Sequence, residues 1–170
     1  MGSSISDLLP LLAKRPIGGY GRAWVGARPL PAPSLIAAIA GKVGLMAEGR
    51  ESDFVRVSRE DISIWLTLFA THSLLHGHGE PARGLDEQLA LAINSMEADA
   101  SFFSKGQWEF TRRGKLYQPV SRGNGWERRR HRLWYRSESE PLPPIDVIED
   151  GGVIGFDSST AFIFWVEEDD

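Results

Sequence analysis

The hydrophobic positions change period partway along the chain. Up to about residue 104 they recur at helical spacing, and beyond it they alternate as strands require. After Pro33, with Ser34 as N-cap, Leu35, Ile36, Ile39, Val43 and Met46 fall on one helical face. Ser58 and Asp61 resemble a capping box and open a second helix, Arg59 to about His76. That helix carries the stripe Ile62, Trp65, Leu66 and Phe69 and stops at Gly77 and Gly79. A third helix is predicted from about Leu85 to Phe103, with Leu89, Ile93, Met96 and Phe103 in one row. Asp86 and Glu87 in its first turn suit the positive end of its dipole.

Ahead of these helices the pattern is broken. Residues 4–14 predict a short helix interrupted by Pro10, and residues 15–33 hold four Gly and four Pro around one short strand at Tyr20–Val25. Asp53–Val57 is a short extended segment.

In the second half, Gln107–Arg113 and Leu116–Val120 flank a hairpin turn at Gly114-Lys115. Trp126–Arg136 reads as a further strand, and Ser137–Pro144 as a polar, Pro-rich connector. Ile145–Glu149, Gly152–Phe156 and Ala161–Glu167 follow, with turns expected at Asp150-Gly151 and Asp157–Thr160. Both alternating faces of Ala161–Val166 are apolar, which marks a strand buried on both sides. Helices first and strands second give an α+β fold: about three N-terminal helices packed on a C-terminal antiparallel sheet of about five strands. The expected organisation is an irregular N-terminal arm, 1–33, and a single α+β domain, 34–170. The domain divides into a helical half, 34–104, and a sheet half, 105–170.

Composition supports a folded chain and narrows its chemistry. Six Trp, eight Phe and three Tyr in 170 residues supply a core without a metal or disulfide staple. No Cys is present, so thiolate chemistry is excluded, and a cytoplasmic location is expected. The longest apolar stretches are too short to cross a bilayer, and no basic-then-apolar leader is visible. Met1–Ser6 fits the pattern for myristoylation of Gly2. One acyl chain without a polybasic neighbour anchors weakly, so membrane anchoring is not expected.

Charge changes the picture most. Residues 105–136 hold ten Lys and Arg against Glu109 and Glu127, a formal +8 in a chain of −4, so the remainder is −12. Such segregation speaks of partners rather than of fold. On a strand, Trp126, Arg128, Arg130, Arg132, Trp134 and Arg136 share one face, with arginines repeating every roughly 6.7 Å. Guanidinium groups and indoles on one face suit an acidic protein surface, or a nucleic-acid strand. A third possibility is an edge strand guarded by charge, its arginines paired with this chain's own carboxylates, such as Glu138, Glu140 and Glu167–Asp170. The acidic remainder weighs against nucleic acid, since counterion release needs an unopposed positive footprint.

Other chemistry is sparse. His72 and His76 lie four apart on the second helix, and His78 follows the turn, a spacing compatible with zinc. The H-E-x-x-H order is absent, and histidines at a helix C-terminus also interact favourably with its carbonyls. No phosphate loop or nucleophile elbow occurs, and turn formation accounts for Asp157–Thr160. The expected function is therefore a small binding protein without enzymatic activity or cofactor. It would recognise an acidic protein partner, as inhibitor-, antagonist- or immunity-type proteins do, through the Arg/Trp strand face. The alternatives are nucleic-acid binding through the same segment and a zinc-dependent enzyme built on the three histidines.

Overall fold

The computed structural model describes residues 2–14, 20–71, 83–105 and 150–168 in full, and the backbone alone for 108–113, 116–121, 134–135, 147–149 and 169. These residues form, in order, α1 (Ile5–Leu12), β1 (Tyr20–Ala27), α2 (Leu35–Gly41), β2 (Leu45–Met46), β3 (Phe54–Val57), α3 (Arg59–Thr71) and α4 (Leu85–Asn94). The strands β4 (Ser101–Lys105), β5 (Trp108–Arg113), β6 (Leu116–Ser121), β7 (Trp134–Tyr135), β8 (Val147–Phe156) and β9 (Thr160–Asp169) follow. Five strands make one antiparallel sheet in the order β1-β9-β8-β4-β3, while β5 with β6 and β2 with β7 form separate ribbons. The α+β class expected from the sequence is the class observed.

β9 sits inside this sheet because its side chains have no polar face until Glu167. Phe162, Phe164 and Val166 point into a core closed by α1, α3 and α4, which also holds Leu9, Ile62, Leu66, Leu89 and Ile93. Ala161, Ile163 and Trp165 point the other way, into a second core closed by α2 through Ile39 and Ala40. All six β9 residues are fully buried. Each large one stabilises the fold by roughly 1.5–3 kcal/mol. Helices thus cover both faces, whereas the sequence suggested a single helical layer.

The neighbouring strand yields space to these aromatics. Gly155 on β8 lies directly between Phe102 of β4 and Phe162 of β9. Their rings meet over it, 6.4 Å apart between centroids, and a Cβ at Gly155 would lie 2.3 Å from the Phe162 ring.

The N-terminal residues join the first core. Ser4 and Asp7 form a capping box at α1, and Ile5, Leu8, Leu9 and Leu12 are buried at helical spacing. Pro10 lies inside this helix rather than interrupting it. It sits on the exposed side, as does Ser6, whose carbonyl it leaves without an amide donor from position 10.

Three element boundaries differ from expectation. The helix after Pro33 ends at Gly41, and Gly44, at φ +84°, turns the chain so that Leu45–Met46 becomes β2. The helix from Leu85 ends at Asn94, and Phe102 and Phe103 stand on opposite faces of β4 instead of continuing a stripe. Asp150-Gly151 is no turn: β8 runs through it, with a register irregularity at Val147/Glu149. The hairpin around 114–115 pairs as expected, Arg113 opposite Leu116. Asp157–Thr160 is the predicted turn, closed by the Asp157 amide on the Thr160 carbonyl at 2.9 Å.

Candidate binding surface

The basic segment is rooted in the sheet. Residues 106–146 leave from the end of β4 and return into β8, and those two strands are paired, Lys105 opposite Gly152. Lys105, the first cation of the segment, is only 3% exposed and forms an ion pair with Asp150, which is equally buried. Its ammonium also lies 5.7 Å from the centre of the Trp165 ring. Across β9, Glu167 is buried and accepts an ion pair from Arg22 of β1 at 3.6 Å. Register places Lys105, Asp150, Trp165, Glu167 and Arg22 on one face of the sheet, the face that α2 covers. Among the described residues the Trp165 indole N–H is buried without an acceptor.

Two sequence expectations change here. Asp150, expected at a turn, is a buried strand residue neutralised by Lys105. Lys105 is spent inside the fold and is not part of any outward-facing charge. The cause is long-range pairing: forty-five positions separate the two residues in sequence.

The far end of the basic segment is also held. β7 pairs antiparallel with β2, Trp134 opposite Met46 and Tyr135 opposite Leu45. The expected strand over Trp126–Arg136 is therefore described only at Trp134–Tyr135, where it joins β2 and not the five-stranded sheet. Trp126, Arg128, Arg130, Arg132 and Arg136 lie outside the described residues, as do His72, His76 and His78.

β2 forms one wall of a groove of about 340 Å³ that the sequence did not reveal. Ala37, Ala38 and Gly41 of α2 form its floor, and Leu30, Pro33 and Met46 line it with them. Small residues on α2 leave the space. Leu30 cannot fill it, because Pro29 and Pro31 hold it in an irregular segment where it is 86% exposed. Met46 is 47% exposed, and Lys42 and Glu48 also line the groove. The one signal in the sequence was a large apolar residue between two prolines.

Hydroxyl-rich Asp157–Thr160 is a structural lock. The Asp157 carboxylate accepts from the amides of Ser159 (3.0 Å), Thr160 (2.8 Å) and Glu97 (3.2 Å). The Glu97 carboxylate accepts in return from the Ser158 hydroxyl at 2.6 Å. Burial pushes the Asp157 pKa up, but the hydrogen bonds from Thr160, Ser159 and Glu97 outweigh it and hold the group below the ordinary value.

Among the described residues, no group of three His, Asp or Glu is placed to hold a metal ion. No described helix is long and apolar enough to cross a membrane. No family model matches the chain, and no match was found among the curated proteins or the solved structures.

Proposed function

We propose that this chain is a small, non-enzymatic binding protein that recognises an acidic protein partner, as an inhibitor, antagonist or immunity-type protein does. The contact is the Arg/Trp segment, with Trp126, Arg128, Arg130, Arg132, Trp134 and Arg136 as its candidate residues. The observation that carries this reading is the pairing of β7 with β2. It sets the C-terminal end of the basic segment beside a groove of mixed lining that includes exposed Met46 and Leu30. Apolar anchors next to cations suit a protein surface, where buried side chains give affinity and charge gives orientation and rate. A nucleic-acid backbone would use the charge and leave the groove idle.

The test is capture of partners by the untagged protein in its own cell extract, with and without nuclease. The reading predicts a protein that stays bound after nuclease and dissociates when Arg128, Arg130 and Arg132 are all replaced by Ala. Replacing Met46→Asp would weaken the same complex, because it puts a carboxylate at the groove. Capture that depends on intact nucleic acid would favour the second reading.

A further inference from the structure

The sheet has two edges, and they are treated differently. β3 is short, follows a 3-10 turn and carries exposed Arg56, features that discourage strand pairing. β1 runs for eight residues with no Pro and only one charged side chain, Arg22. Among the described residues no strand lies on its outer side.

Register shows which backbone groups that edge offers. The Arg28 amide donates to the Ser159 carbonyl at 2.8 Å, one step beyond the pair Ala27 and Thr160. Hydrogen-bonded and non-hydrogen-bonded pairs alternate in an antiparallel ladder. Tyr20, Arg22, Trp24 and Gly26 therefore bond to β9, while Gly21, Ala23, Val25 and Ala27 turn their N–H and C=O groups outward. The other side of β9 agrees: the Asp157 amide on Thr160 puts the even-numbered residues of β9 in bonding position toward β8.

We infer that this edge pairs with β1 of a second copy, antiparallel about a two-fold axis at Trp24, joining the two sheets into one. The strand is complementary to itself in that register. All four outward-bonding residues find outward-bonding partners, Gly21 with Ala27 and Ala23 with Val25. Their side chains are small, and on the face that α1 covers the Ala13 backbone packs against Gly21. On the opposite face Arg22 faces Gly26, over which that chain's own Trp24 ring lies, Tyr20 faces Arg28, and Trp24 faces its symmetry mate. Tyr20 is 63% exposed in the single chain and gains a guanidinium neighbour. No like charges stand directly opposite, which would oppose pairing. The two cations are already engaged within their own chain. Arg22 pairs with Glu167, and Arg28 donates to the Asp157 carbonyl and covers the Phe156 ring. A strand edge buries less than a typical stable interface of about 1,600 Å², so the dimer is expected to depend on concentration.

The absence of cysteine makes the register testable. Residues on the axis form a non-hydrogen-bonded pair with Cα atoms about 4.5 Å apart, within disulfide reach. The purified chain should move from the mass of one copy, 18.9 kDa, toward two as concentration rises in sedimentation equilibrium. Under mild oxidation Trp24→Cys should cross-link into a covalent dimer, while Tyr20→Cys, opposite Arg28, should not. Ala23→Pro removes an outward N–H without touching the ladder to β9, and should leave a folded single chain by circular dichroism. The inference is overturned if the wild-type chain keeps the mass of one copy and Trp24→Cys does not cross-link. It is also overturned if folded Ala23→Pro dimerises like wild type. A chain that stays single but loses a foreign partner on Ala23→Pro would assign the edge to that partner and equally overturn the second-copy reading.

Discussion

Lys105 and Asp150 face each other almost without access to water. Removing Lys105 takes away the cation that faces a buried carboxylate, so Lys105→Met should destabilise the protein by about 3–5 kcal/mol in urea unfolding. Replacing both, Lys105→Met with Asp150→Leu, should cost clearly less than either alone, a coupling that a double-mutant cycle reads directly. Asp157 offers a pH test. Its folded pKa lies below the ordinary 3.8, so its contribution is complete above that value and is lost as pH falls through the lowered folded value. Asp157→Asn should cost about 1–2 kcal/mol near neutrality, with the gap from wild type closing below about pH 4. None of this pairing was visible locally. Asp150-Gly151 carries the signature of a turn, and only pairing with Glu167 and Val166 of β9, with Lys105 of β4 beside the carboxylate, makes it a strand.

Among the elements, β9 was the most legible, because a strand that is apolar on both alternating faces has few places to go. The starts of the helices were legible for a similar reason: Ser34 accepts from the Ala37 amide at 3.1 Å and Ser58 from the Asp61 amide at 3.2 Å, as capping chemistry requires. Helix ends were not. Val43 and Met46 continue a helical stripe in sequence, yet Gly44 adopts φ +84° and reverses the chain into β2. Phe103 also continues a stripe, but cross-strand contact with Ile154 and stacking on Phe156, 5.9 Å between centroids, hold it in β4. Long-range pairing overrides periodicity at both places. Gly44→Ala should therefore cost about 1 kcal/mol in thermal unfolding, since its positive φ strains any residue with a Cβ. Because Gly44 leads into β2, that variant should also weaken partner binding more than its stability loss alone explains.

At the scale of the whole molecule, the charge segregation and the α+β class were readable from the sequence, and the groove lined by β2 was not. The groove depends on Ala37, Ala38 and Gly41 being small at the point where the Pro29–Pro33 segment and β2 flank α2. No local pattern announces such a meeting. The central claim is that cations and groove together recognise an acidic protein. The direct measurement is titration of the captured partner against the wild-type chain and the Arg128→Ala, Arg130→Ala, Arg132→Ala triple variant by calorimetry, after nuclease treatment. The account predicts a nuclease-resistant complex whose affinity falls at least about a hundredfold in the triple variant, corresponding to about 2.7 kcal/mol. Equal affinity for the two chains, with both still folded, would contradict it.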